Sequence, residues 1–155
     1  MEKIVVGEML QKEVREAVVV TQNPWYMTIL DEYKIYFFST NKIVSPMSSL
    51  LFYGDSDCSP AKSISRYGKV SHIYRHVTKN DLIDIPEVQG IISDTRFKDQ
   101  VMEWEKHQIV VLSEVVKLEK PLPLTKDYIN HPRIIVNRET TMAKLLSAKK
   151  MDDLF

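Results

Sequence analysis

Residues 18–39 read VVVTQNPWYMTILDEYKIYFFS, and the order of residue types in them sets the fold. The run Ala17 to Thr21 is β-branched and continuous, as in a strand buried on both faces. Asn23 supplies a side-chain acceptor and Pro24 a fixed φ, which together predict the cap and first position of a helix. That helix, PWYMTILDE, places Trp25, Thr28 and Ile29 on one side. The aromatic segment KIYFFS, from Lys34 to Ser39, then returns to strand.

Outward from this unit the same reading continues. SSLLFY (48–53) predicts a strand closed by turn chemistry at Gly54-Asp55. A loop is expected over 57–65 and a strand over 67–77, on which the period of two pairs Lys69 with Ser71, Ile73 and Arg75 on one face. His72, Tyr74 and His76 lie on the other. Thr78 to Ile85 predicts a helical turn stopped by Pro86. Phe97, Val101 and Trp104 recur at helical spacing. QIVVLSEVVKL (108–118) predicts a central strand ended by the prolines at 121 and 123. A short helix over 124–130 and a strand over 133–136 follow. Toward the N-terminus, Met9, Leu10 and Val14 predict a short amphipathic helix over 7–16. At the other end, Met142, Leu145, Leu146 and Leu154 predict a terminal helix over 139–155, capped by Thr140 or Asn137. Strands joined by links too short for helical crossovers indicate an α+β protein on a mostly antiparallel, barrel-like mixed sheet with three to four flanking helices. One domain spans 1–155, with 1–16 as an N-terminal extension.

The bulk properties agree. A chain of 155 residues buries about 68–70% of its extended surface as one core, and 44% apolar with 27% charged residues is ordinary for a globular protein. The longest apolar runs fall far short of a bilayer span. An acidic start without a long apolar stretch argues against a secretory signal, so a cytoplasmic location is expected. Cys58 is the single cysteine, which excludes an internal disulfide. Lys+Arg and Asp+Glu balance at 21 each, so any affinity for polyanions must come from local segregation of charge.

One segment shows such segregation. CSPAKSISRYGKVSHIYRHVTKN (58–80) carries Lys62, Arg66, Lys69, Arg75 and Lys79 with no acid, interleaved with Tyr67 and Tyr74. Cations on phosphates and rings on bases are the chemistry of single-stranded nucleic-acid binding. The competing reading is a solvated loop and strand face. His72 and His76 share a face but lack nearby acids to complete a metal site, and Cys58 with His72 is an unplaced nucleophile and base. Asp55 and Asp57 flank a turn and are explained by it. Four glycines, none at motif spacing, leave no phosphate loop, and no cofactor is implied.

Taken together, residues 18–39, SSLLFYGD (48–55), GKVSHI (68–73) and QIVVLSEVVKLEKPLPL (108–124) resemble the ASCH branch of the PUA-like superfamily, over about Val18 to Arg138. The PUA-like domain fused behind some acetyltransferases is similar too. In the ASCH pattern a proline-opened helix is followed by a G-x-K-x-x-E-x-R strand. Pro24, Ile29, Leu30 and Lys34 match, and Tyr53 matches a strand-end aromatic. Glu32, Phe37 and Ser39 stand where the motif has glycine, glutamate and arginine. The resemblance implies a cleft for a modified base or nucleotide, with Trp25, Lys34, Tyr36, Ser39 and Tyr53 as its lining. Members that hydrolyse acetylated cytidine rely on a lysine, a hydroxyl and the glutamate that is Phe37 here, so the expectation is a module binding RNA or a modified nucleotide without catalysis. A small amidohydrolase using Lys34 with Thr28 or Ser39 is the second reading, and a regulatory protein-interaction domain the third.

Overall fold

A computed structural model of the chain describes residues 1–38, 45–104, 106–123 and 138–155. The strands are β1 (Glu2–Val5), β2 (Arg15–Gln22), β3 (Ile35–Phe38), β4 (Met47–Gly54), β5 (Ser63–Thr78), β6 (Lys106–Pro123) and β7 (Glu139–Thr140). The helices are α1 (Pro24–Tyr33), α2 (Gln89–Ile92), α3 (Lys98–Glu103) and α4 (Met142–Ser147). The seven strands form one mixed sheet in the order β3-β6-β5-β4-β2-β7, with β1 beside β5. Every pairing is antiparallel except β2 with β4. The architecture is α+β, and the sheet curls without closing among the described residues.

The expected β2-α1-β3 unit is present. Val18 and Val20 face one core with Leu30, Phe52 and Leu112, while Ala17 and Val19 face another with Leu51 and Leu154. This is burial on both faces, which continuous β-branched sequence specifies. The Asn23 side chain accepts the Tyr26 N–H at 2.9 Å, with Pro24 at the first helical position. A third core, between α1, β3 and residues 82–101, holds Ile29, Phe37, Leu82, Ile91 and Val101.

Five sequence expectations need correction. The N-terminal helix is absent: 3-10 turns occupy Val6–Glu8 and Gln11–Glu13, and residues 2–5 pair with β5. Leu10 is 60% exposed, so no apolar stripe faces a core. β6 does not stop at its prolines but runs to Pro123, because among the described residues β3 pairs with its residues 108–111 and its distal half has β5 alone as neighbour. Proline is tolerated at such an edge. The C-terminal helix is shorter: β7, α4 and a 3-10 turn (Met151–Leu154) replace it, and Thr141 is the cap, accepting the Lys144 N–H at 3.2 Å. Leu146 points to solvent. Lys34 does not open the strand after α1: it is the left-handed C-cap of α1, and β3 starts at Ile35. The expectations over 124–130 and 133–136, with Asn137, lie outside the described residues.

The fifth correction concerns β5. Its register against β6 slips on both sides of Val70, pairing Val70 with Leu112 and then His72 with Val111. Ser71 is thereby bulged, and strand parity inverts across it. Val70 and Ile73 both face the first core although three residues apart. Lys69, opposite in sense to Val70, and Arg75, alike in sense to Ile73, therefore lie on opposite faces rather than the same one.

Gly68 sits where β4, β5 and β6 close on one another. A Cβ there would meet Leu112 at 3.0 and 3.1 Å and Phe52 at 3.2 Å. Gly68→Ala is expected to destabilise the fold by about 1–2 kcal/mol through overpacking, read as a lower urea midpoint at unchanged m-value.

Candidate functional site

The C-terminal end of β2 and the first turn of α1 bring polar and aromatic groups together. Gln22 continues the parity of Val18 and Val20, so its amide enters the same core and is 1% exposed. Neither Oε1 nor Nε2 has a hydrogen-bond partner among the described residues. The Trp25 indole Nε1 is likewise buried and unpartnered among them. Buried polar groups are normally satisfied, so these three atoms within four residues, without a partner among the described residues, make this stretch a candidate site.

Aromatic rings cluster on the first turn of α1, directly after Gln22 in sequence. Trp25 meets Tyr26, Phe97 and Trp104 edge-on at 5.0, 5.5 and 5.7 Å. Tyr26 stacks on Trp104 at 6.1 Å and lies 6.1 Å from Tyr36. The Tyr36 hydroxyl donates to the Thr21 carbonyl at 3.1 Å, and burial, then the neighbouring Tyr26, holds it protonated far above the ordinary tyrosine range. Trp25, Tyr26 and Trp104 remain partly exposed. They form a partly exposed aromatic cluster at the first turn of α1.

The segment after β4 flanks this mouth. The Gln22 carbonyl accepts the Asp55 N–H at 2.9 Å and the Cys58 thiol at 3.6 Å. The Asp55 carbonyl in turn accepts the Lys62 N–H at 3.3 Å. Lys62 is exposed and left-handed at φ 49°, so a cation stands beside the mouth.

Other sequence candidates are placed differently. Lys34 is exposed at the left-handed C-cap of α1, about 13 Å along the helix axis from Trp25. Tyr53 faces the core that holds Ala17, Leu51 and Leu154, away from Tyr36, and Ser39 lies outside the described residues. Phe37 is 2% exposed in the core. Thr28 Oγ1 donates to the Pro24 carbonyl within its own helix. Glu32, at the motif glycine's position, pairs with Arg96, and Tyr33 donates to Asp94 at 2.9 Å.

Of the basic segment, Lys69 and Lys79 are exposed, separated by roughly 30 Å of strand. Tyr67 is half-buried against the core that holds Leu122, and Arg75 is half-buried. Two members are not available to a polyanion. Arg66 is 7% exposed and grips Asp31 of α1 through Nε and Nη2 at 2.7 and 2.8 Å. Tyr74 is 5% exposed and its hydroxyl donates to both Glu87 oxygens at 3.0 Å, with burial first and Glu87 second pushing its pKa up to about 12. Sequence reasoning missed Gln22 and Tyr26. For Gln22 the signal was its place on the buried parity of β2, where a polar residue is out of pattern.

Among the described residues no helix is long and apolar enough to cross a membrane, and no three His, Cys, Asp or Glu side chains gather as metal ligands. No protein-family model matches the sequence, nor does any curated protein. Solved structures do match. The crystal structure of an ASCH protein from Zymomonas mobilis has TM-score 0.52 at 17% identity, over 82% of this chain and 85% of that one. Two single-substitution variants of it give 0.53 at 15% identity over 82% and 88%, and 0.50 at 18% over 70% and 75%. The mixed sheet with its capped helix between β2 and β3 shares its fold with these ASCH structures.

Proposed function

We propose that the chain is a binding module for RNA or a modified nucleotide, holding one base in the mouth at the start of α1 and converting nothing there. The observation that carries this is the fully buried Gln22 amide, with donor and acceptor both unused beside an aromatic rim. A primary amide reads the paired donor and acceptor of a base edge, and Trp25, Tyr26 and Trp104 offer stacking faces. Lys62 at the rim takes the adjoining phosphate, with Lys69 and Lys79 as further backbone contacts. The base that the ASCH pattern supplies for hydrolysis has no counterpart at position 37, where the side chain is a buried phenyl ring.

The test is affinity for short single-stranded RNA as a function of salt. Binding is expected to weaken as salt rises, and Lys62→Ala to lower the slope of log K against log salt by about 0.7, one single-strand phosphate contact. Undetectable binding at low salt contradicts the proposal.

A further inference from the structure

A second group of polar side chains lies on β5 and the 3-10 turn Pro86–Val88, sharing no residue with the α1 mouth. The Ser71 Oγ lies 2.9 Å from His72 Nδ1, and His72 Nε2 lies 2.9 Å from Glu87 Oε1. The carboxylate accepts, so Nε2 carries the proton and donates to it. Nδ1 is then the lone-pair nitrogen, and the Ser71 hydroxyl donates to it. Both Glu87 oxygens also accept from the Tyr74 hydroxyl, which fixes the carboxylate. Burial alone would raise the Glu87 carboxyl's pKa, but its own backbone N–H, His72 and Tyr74 outweigh that and hold it below the ordinary range. It stays an anion facing the imidazole.

The surroundings make the chain of contacts rigid at one end and open at the other. Val88 and Ile85, flanking Glu87, are 0% exposed. Gln89 Nε2 ties that segment together through the carbonyls of Leu82, Ile83 and Ile85 at 2.9, 3.2 and 2.8 Å. Ser71 is the residue bulged out of register, with no opposite number on β6, and a bulge is a device that re-aims a side chain. Ser71 is partly exposed, and the His72 and Glu87 side chains are 14% and 27% exposed. A hydroxyl within reach of a base that a third group orients is the geometric signature of an activated nucleophile.

We propose that Ser71, His72 and Glu87 act as nucleophile, general base and orienting carboxylate in the cleavage of small carboxylic esters. Ser71 Oγ bonds to the acyl carbon as its proton passes to His72 Nδ1. The ester C–O bond then breaks, and the leaving alcohol's oxygen takes that proton. Water attacks the acyl-Ser71 carbon with His72 Nδ1 again accepting a proton, and the Ser71 C–O bond breaks as Oγ recovers it. The products are a carboxylic acid and an alcohol. Val5 and Val111, which flank His72 in the sheet, suit a short apolar acyl group.

The test uses the full chain with an alkyl fluorophosphonate, whose phosphorus bonds to an activated serine as fluoride leaves, and with p-nitrophenyl acetate. One phosphonyl adduct on the peptide carrying Ser71 is expected in the unaltered protein, and it should be absent in Ser71→Ala. His72→Gln, which keeps a polar side chain, should slow labelling and ester turnover by about a hundredfold or more, the range of a positioned base. Addition of free imidazole to His72→Gly should restore part of the rate, which a purely structural histidine would not give. No adduct, an adduct on another residue, or unchanged labelling in His72→Gln would overturn the proposal. The mapping on the unaltered protein decides the matter even where a variant fails to fold.

Discussion

Asp31→Ala should destabilise the protein by about 3 kcal/mol, because it strands the Arg66 guanidinium in the core. Arg66 reaches from β5 to α1 with a side chain only 9% exposed, against 29% for Asp31. Beyond Asp31, Arg66 Nη1 donates to the Ser65 hydroxyl at 2.9 Å. Lys117 stands 4.0 Å from Asp31 and is 69% exposed, so it is free to turn to water. For a chain of this length the loss corresponds to a melting temperature about 10 °C lower. Replacing both partners, Asp31→Leu with Arg66→Met, removes the buried charge along with its counter-ion. The pair of changes should recover most of the loss, since an ion pair in the interior is worth little over apolar residues of similar volume. Thermal melts of these two variants beside the unaltered protein separate a structural ion pair from a surface cation awaiting a ligand.

Gln22→Met should act in the opposite sense. The amide's two polar atoms are buried without partners among the described residues, and leaving such groups unmade costs about 1–3 kcal/mol. A thioether of similar length fills the same space among Val18, Val20 and Phe52 without that penalty. The ligand-free protein is therefore expected to melt about 5 °C higher. A residue whose removal stabilises the fold is one retained for something other than the fold. A thermal melt without ligand checks this, and a lower melting temperature would show the amide to be structural.

The β2-α1-β3 unit could be read from residues 18–39 because its signals are local. Branched residues, Asn23 with Pro24, and the aromatic run at 35–38 each specify an element within a few positions. What failed required partners distant in sequence. Arg66 looked like a free cation until Asp31, thirty-five residues earlier, was placed beside it. His72 seemed to lack an acid because Glu87 arrives from a separate turn. The bulge at Ser71 depends on how β5 and β6 share unequal numbers of residues, which no period along one strand reveals. The prolines of β6 read as a stop because nothing local says that the strand has become an edge. The resemblance placed Trp25 in a cleft lining; its ring packs on Tyr26, Phe97 and Trp104, while its indole N–H has no partner among the described residues.

The central claim is that a base enters the mouth formed by Gln22 and the aromatic rim of α1. The most direct measurement is a tryptophan-fluorescence titration with short single-stranded RNA at low salt, run in parallel on the unaltered protein and on Gln22→Met. Trp25 and Trp104 are the two tryptophans of the chain, and both lie at the rim. Saturable quenching in the unaltered protein, with affinity reduced at least about tenfold in the more stable Gln22→Met as expected for one lost base-edge contact, is the predicted result. Equal affinity in the two proteins, or no quenching in either, would contradict it.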